Sequence, residues 1–321
     1  MRSVDLSIVV PIYNEVDNIE PLHAAIVGTL AETKLDYELI LVDDGSQDDS
    51  FARASQIAHS DSRVKVVAFR RNFGQTAAIA AGIRKARGRI IVTMDGDLQN
   101  DPVDIPRMLA LLDSGYHIVV GWRRNRRDEG TRVFVSRVAN KIMALVLGVA
   151  VRDSGCSLKA YRAELIQGLP LYGEMHRFIP ALSQLAGGRL AQIEVKHHPR
   201  LHGVSKYGFS RIYKVLLDIV SIRFLLSYAR RPLLWHGKFT GIVFLCALLL
   251  PVSSLMFGKG GTLIIDSGIA VLLLSLGLIM VQWGVIGQLV ASGRGNVTRY
   301  ATLAADLAVR VNSLQQPERQ V

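Results

Sequence analysis

The chain has 321 residues, half of them hydrophobic, with a formal net charge of +11 and a mean hydropathy of +0.26. That length accommodates one catalytic-sized soluble domain plus something smaller, and so apolar a composition beside 20% charged residues argues against a wholly soluble protein. Its two cysteines, Cys156 in a polar stretch and Cys246 in an apolar one, give no disulfide framework and no CxxC metal pattern, which fits a reducing compartment. The basic excess suits nucleic acid, anionic lipid or a phosphate-bearing substrate, and charge alone does not choose among them.

At the N-terminus an apolar run at 6–10 stops at Pro11, too short for a signal-peptide core, so this part of the chain is expected to stay in the cytoplasm. Five β-rich runs, at 6–10, 37–42, 64–69, 90–94 and 117–120, alternate with longer stretches of helical spacing. Such alternation predicts an α/β fold, a mostly parallel sheet flanked by helices. Ligands of open sheets bind beyond the carboxyl ends of the strands, so the chemistry should lie just after each run.

The first run ends in Pro11-Ile12-Tyr13-Asn14-Glu15 and the second in Val42-Asp43-Asp44-Gly45-Ser46. Carboxylates there can accept hydrogen bonds from a base edge and from ribose hydroxyls, and Tyr13 offers a stacking face; equally, Asp-Asp-Gly-Ser reads as a turn into a helix cap. The fourth run leads into Asp95-Gly96-Asp97-Leu98-Gln99. Two carboxylates two residues apart in extended chain point the same way and suit Mg²⁺ or Mn²⁺, with substrate phosphates completing the shell and Gln99 as a further oxygen ligand. Arg123, Arg132, Arg200 and Lys206 are candidate phosphate donors, whereas Arg124, Arg126 and Arg127 read as a solvated or lipid-facing cluster. No GxGxxG follows a strand, and neither GxxxxGK[ST] nor GxSxG occurs, which removes support for dehydrogenase, P-loop and serine hydrolase readings.

Toward the C-terminus, apolar stretches at 239–257 and 268–290 each approach the roughly 20 residues that span a bilayer. They predict a transmembrane hairpin with its turn at 258–266; the alternative is a buried hairpin in a soluble core. Arg230, Arg231, His236 and Lys238 before the first span, with Arg294 and Arg299 after the second, place both chain ends in the cytoplasm. Residues 209–228 mix charged and apolar side chains at helical spacing and read as an interfacial helix, or as an ordinary amphipathic helix on the sheet domain. The expected layout is therefore a cytoplasmic catalytic domain at 1–208, a juxtamembrane segment at 209–236, the hairpin at 237–291 and a cytoplasmic tail at 292–321, in the inner (plasma) membrane.

The blocks VVPIYNE, LVDDGSQDDS, RNFGQTAAIAAGI, MDGDLQNDP, DSGCSLKAYR, EMHRFIPAL and RLHGVSKYGFSRI, in this order, resemble family 2 inverting glycosyltransferases of the GT-A fold. The likeness is to the polyprenyl-phosphate group, which includes dolichol-phosphate mannose synthases and bactoprenol glucosyltransferases. DSGCSLKAYR and EMHRFIPAL also resemble lipid-linked aminoarabinose transferases, which leaves the sugar open. The resemblance implies that Pro11, Tyr13, Glu15, Val42 and Asp44 line a nucleotide site. It implies that Asp95, Gly96, Asp97 and Gln99 hold diphosphate and metal, with Asp97 as the direct ligand. Arg123, Arg132, Ser136, Arg200 and Lys206 would then grip the donor diphosphate and the acceptor phosphate, Arg123 and Arg132 acting in catalysis with the acidic pair.

The implied activity is transfer of a sugar from a UDP- or GDP-linked donor to a polyprenyl phosphate, with inversion. Its partners would be the nucleotide sugar, the polyprenyl phosphate and the bilayer, with no nucleic acid, and a homo-oligomer stays open. Because a phosphate monoester is already largely ionised near neutral pH, positioning and charge neutralisation matter more than a strong base. Two rivals remain. A processive polysaccharide synthase is disfavoured because Gln-x-x-Arg-Trp is missing and two spans are few, and a non-catalytic membrane scaffold is disfavoured by the intact Asp95 and Asp97.

Overall fold

The structure, a computed structural model, describes residues 4–124, 151–167, 171, 173–185, 188–199, 232–257 and 262–292, together with 217, 220, 221 and 224. These fall into two compact units that divide between Val220 and Ser221.

The first unit is built on a seven-stranded sheet in the order β3-β2-β1-β4-β6-β5-β7. Its strands are β1 (Leu6–Ile12), β2 (Tyr37–Asp43), β3 (Val64–Ala68), β4 (Ile90–Thr93), β5 (Ile118–Trp122), β6 (Lys159–Arg162) and β7 (Leu190–Glu194). All neighbours run parallel except β6, which is antiparallel to both β4 and β5. The five runs expected from the sequence are the first five strands, with ends displaced by two residues at most. Two strands were not anticipated: β6 and β7 are short and carry Lys159, Arg162, Gln192 and Glu194, so they lack the apolar run that marks a buried strand.

Helices α1 (Val16–Leu30), α2 (Ser50–Ser60), α3 (Gln75–Lys85) and α4 (Ile105–Asp113) connect the strands, followed by the short α5 (Ala163–Ile166) and α6 (Ile179–Leu185). Side chains on a strand alternate between faces. Accordingly Leu6, Ile8, Val10 and Ile12 of β1 enter one core with Ile19, Leu22 and Ile26 of α1 and with Met108 and Leu112 of α4. Each of these large apolar side chains contributes roughly 1.5–3 kcal/mol on burial. Val9 points to the opposite face, where α3 packs so closely that a Cβ at Gly82 would fall 2.2 Å from Val9 Cγ1.

Pro11 sits in a central strand, a position that normally excludes proline because it cannot donate to the ladder. Here β1 pairs with β4 only through Leu6–Val9, so at Pro11 β4 has already left and no donor is required on that side. The two strands part here, at the point where the direction of strand order reverses and where ligands of such sheets collect.

The second unit is a helical hairpin, α7 (Pro232–Phe257) and α8 (Thr262–Ser292). Leu233 lies beside Gly284, the Phe244 ring beside Gly277, and Ser254 Oγ is 2.8 Å from Thr262 Oγ1, an antiparallel arrangement. Both helices are long and apolar enough to cross a membrane, with mean hydropathies of 2.2 and 2.4 in their most apolar windows. Only 17% and 11% of those windows is buried, unlike the hairpin of a soluble core. The connection is shorter than the expected turn at 258–266, because Thr262 already begins α8 and places Asp266 inside the helix. Likewise α7 starts at Pro232, a favoured first helical residue, so His236 and Lys238 lie within it. The expected interfacial segment at 209–228 falls outside the described residues, apart from Leu217, Val220, Ser221 and Phe224.

Candidate active site

Three loops at the carboxyl ends of β1, β2 and β3 are tied together by side chains. Asn14, at φ 53°, donates its N–H to Ser46 Oγ (3.0 Å), and its own Oδ1 accepts from Gln47 N (2.8 Å). Ser50 Oγ accepts from Glu15 N at 2.8 Å, and the Glu15 carboxylate accepts from Asn18 Nδ2. Asp43 holds the turn by accepting from both the N–H and the hydroxyl of Ser46. Asp44 accepts from Phe73 N (2.7 Å) and Gly74 N (2.9 Å), which anchors the loop that leads into α3. Gly45 permits the turn: its φ is 70°, and a Cβ there would come within 2.4 Å of the Arg71 backbone.

The structure therefore gathers Pro11, Tyr13, Glu15 and Asp44 at one edge, the first three half-buried and Asp44 buried. Val42 is nearby but fully buried, and its side chain packs toward Gly82 of α3. Asp44 is loaded with two backbone N–H donors, so much of its accepting capacity serves the loops. Burial raises its pKa from the ordinary carboxylate value, against the lowering effect of those two donors.

Past β4 the chain bends at 96–98, and Leu98 adopts φ 59°, a left-handed conformation uncommon for a leucine. The carboxylates thus meet across a bend rather than along extended chain. Gly96 fits against Ile12 and the Pro11 carbonyl, with a Cβ placed there only 3.0 Å from Ile12 Cγ2. Gln75 Nε2, from the start of α3, donates to Asp95 Oδ1 at 2.6 Å. Asp95 N donates to Ser157 Oγ (3.3 Å), which also accepts from Asn100 Nδ2 (2.7 Å). Asp97 is buried, and its Oδ1 accepts from Gln99 N at 3.2 Å. Burial and the like charge of Asp97 push Asp95 up to about 6.

A pocket runs inward from Asp95 toward β6. Because Lys159 is the register partner of Thr93, the antiparallel β6 starts at the edge where β4 ends, and the preceding loop 153–157 forms one wall. Thr76 Oγ1 lies 2.6 Å from His176 Nδ1 on another wall. Arg123 is clamped by Asp153, with Nε to Oδ2 at 2.8 Å and a second guanidinium contact at 3.2 Å, both side chains largely buried. This bidentate pair orients Arg123.

Gln99 is fixed at its backbone, where its carbonyl accepts from His198 N at 2.8 Å, beside a bridge between Asn100 and His197. Arg132, Ser136, Arg200 and Lys206 lie outside the described residues. Among the described residues no group of three or more His, Cys, Asp or Glu side chains is placed to hold a metal. The acidic pair would need oxygen ligands from elsewhere, as Mg²⁺ usually does at phosphate sites. The forced proximity of two carboxylates, one of them driven toward protonation, is nevertheless what a divalent cation relieves. Gln75, Ser157, Lys159, His176 and Arg177 were given no role by the sequence reading. Four of the five lie in DSGCSLKAYR and EMHRFIPAL and the other in RNFGQTAAIAAGI, so these blocks were the available signal.

Residues 7–169 match the family model described as glycosyl transferase family 2. A dodecaprenyl-phosphate galacturonate synthase of Rhizobium johnstonii is 46% identical over 246 residues, spanning 75% of this chain and 72% of its own. An undecaprenyl-phosphate 4-deoxy-4-formamido-L-arabinose transferase of Proteus mirabilis is 35% identical over 289 residues, spanning 88% of this chain and 87% of its own. Among solved structures, glucosyl-3-phosphoglycerate synthase from Mycobacterium tuberculosis in complex with UDP superposes with a TM-score of 0.54 at 23% identity, covering 68% of this chain and 79% of that one. The same enzyme with Mn²⁺, UDP-glucose and glycerol 3-phosphate gives 0.51 at 22%, covering 69% and 79%. The latter two are likenesses of fold and bear out the expected GT-A architecture. Kinship in sequence across the sheet and kinship in fold agree, and the chain belongs to glycosyl transferase family 2.

Proposed function

We propose that this enzyme transfers a sugar from a nucleotide-sugar donor to a polyprenyl phosphate, with inversion, at the cytoplasmic face of the inner membrane. The observation that carries the reading is the Asp95–Asp97 pair, with Asp95 held by Gln75 and Ser157, just past the end of β4, in a chain whose relatives are named for polyprenyl-phosphate acceptors.

On this reading the stitched loops after β1 and β2 receive the nucleoside, with Tyr13 as a stacking face and the backbone around Asp44 as its frame. Asp97, Asp95 and Gln99 would hold Mg²⁺ or Mn²⁺, which when bound supplies charge neutralisation for the departing nucleoside diphosphate. The fold neighbour crystallised with Mn²⁺ and UDP-glucose supports a divalent cation here. Arg123, fixed by Asp153, adds a second positive group at the same edge, and Arg132, Ser136, Arg200 and Lys206 are proposed for the acceptor phosphate. The hairpin keeps the catalytic unit at the lipid surface, where a polyprenyl phosphate presents its headgroup. The lipid phosphate oxygen attacks the anomeric carbon as the bond to the diphosphate breaks, so no covalent enzyme intermediate forms.

Purified full-length protein in mixed micelles with undecaprenyl phosphate, a divalent cation and radiolabelled nucleotide sugars is expected to yield a labelled glycolipid. Asp97→Asn should lower that transfer by on the order of 100-fold or more at saturating metal. Transfer at the wild-type rate by Asp97→Asn would refute the assignment.

A further inference from the structure

Lys159 is 2% exposed, yet among the described residues no carboxylate oxygen lies within 4.0 Å of its ammonium. Two of its three donors go to main-chain carbonyls, Ser154 O at 3.2 Å and His176 O at 3.4 Å. The third is left for the pocket that Lys159 lines with Gln75, Asp95, Ser157, His176 and Arg177. Buried cations are normally matched by an anion, because an uncompensated charge in a dry interior is costly. Burial pulls the Lys159 pKa down only to about 8, so the group keeps its charge in most molecules near neutral pH. Arg177 adds positive charge to the same wall and is itself paired with Glu174 at 3.0 Å. The pocket is thus lined by Asp95 of the acidic pair and by a buried lysine that Asp153 and Asp95 act on only from beyond ion-pair distance.

We propose that this pocket receives the donor's sugar and that Lys159 selects a sugar bearing a carboxylate, a uronosyl group, by pairing with it. The inference rests on the nucleotide-sugar reading above and narrows it to one class of donor. The two anionic parts of such a donor would be received by different residues: the diphosphate at Asp95 and Asp97, where a cation would meet it, and the sugar carboxylate at Lys159. A neutral hydroxymethyl group in its place would leave the lysine unanswered, and a site built to pair a charged group rejects the analogue that lacks it.

The test uses full-length protein in micelles with undecaprenyl phosphate and matched donor pairs: UDP-galacturonic acid with UDP-galactose, UDP-glucuronic acid with UDP-glucose, and GDP-mannuronic acid with GDP-mannose. Wild type should favour the uronate of its preferred pair by on the order of 100-fold in kcat/KM. Lys159→Met should collapse that ratio toward one, and Lys159→Arg should restore most of it. A merely structural lysine would lower both members of a pair alike, which overturns the proposal. A preference for neutral donors, including a UDP-linked formamido sugar, overturns it as well. Should Lys159→Met weaken binding of UDP alone as much as it weakens UDP-uronate, the lysine serves the diphosphate and the proposal fails. Absence of glycolipid from every donor would instead sink the transferase reading itself.

Discussion

Gln75 and Asp95, twenty positions apart, are joined by a 2.6 Å hydrogen bond from the side-chain amide at the start of α3 to the first carboxylate of the acidic pair. The bond makes the orientation of the pair depend on how α3 is seated against β1. Removing a partner that orients a metal-holding carboxylate typically costs about 10- to 100-fold in metal affinity or activity. Gln75→Ala should therefore raise the divalent cation concentration needed for half-maximal transfer by about tenfold or more. An unchanged metal titration would show that Asp95 needs no such support.

The seating of α3 can be probed directly. Gly82→Ala introduces a Cβ 2.2 Å from Val9 Cγ1, so the helix or the strand must shift, at a cost of about 1–3 kcal/mol. Val9→Ala removes the obstructing methyl groups, and Gly82→Ala combined with Val9→Ala should regain part of the lost stability. Strictly additive losses in thermal melts of the detergent-solubilised chain would contradict this account of the contact.

At the opposite, amino end of the sheet, Glu38 of β2 is 2% exposed and gathers donors from three segments. Ser7 Oγ (2.7 Å) and Arg87 N (2.6 Å) donate to Oε1, and Lys65 Nζ donates to Oε2. Burial alone would raise its pKa, but these donors outweigh burial and hold it below 4.5. A depressed carboxylate pKa contributes stability that is present above the unfolded value and is lost as pH falls through the folded one. Glu38→Gln should thus destabilise the chain near neutral pH by about 1.5–3 kcal/mol, and the gap to wild type should close as pH drops below 4.5. A melting-temperature gap that is flat across acid pH would disprove the linkage.

In the hairpin, Gly277 lets the Phe244 ring approach so closely that a Cβ would lie 2.1 Å from its edge. Small residues at helix contacts are a principal means of close packing in membranes. Gly277→Ile should lower the melting temperature of the detergent-solubilised protein, and the added Phe244→Ala should recover part of the loss. If Gly277→Ile melted like wild type, the helices would not be packed through this contact.

The first five strands were legible because each is an unbroken apolar run, and the acidic pair was legible because it directly follows one of them. What the sequence concealed came from elsewhere in the chain. Ser157 reaches Asp95, and Lys159 lines the same pocket, only because β6 inserts antiparallel between β4 and β5, and nothing in Lys-Ala-Tyr-Arg announces a central strand. Gln75 opens an ordinary helix, and its partner lies twenty positions on, past β4, rather than one helical turn away. Asp44, legible as a nucleotide-site carboxylate or as a turn residue, also accepts from Phe73 N and Gly74 N, partners 29 and 30 positions away that its local sequence does not mark. The extended Asp-x-Asp geometry gave way to a bend at 96–98.

The reversed strand has an evolutionary corollary. Since β6 begins at the edge where β4 ends, residues of the loop ahead of it and of the turn at Met175–Arg177 line the pocket beside Asp95, while the loops proposed for the nucleoside come from the first fifty residues. The two vocabularies are separate in the gene and adjacent only after folding. On the proposed function, a chimaera exchanging 153–177 between relatives is expected to alter which monosaccharide is accepted while the nucleotide preference stays with the upstream loops.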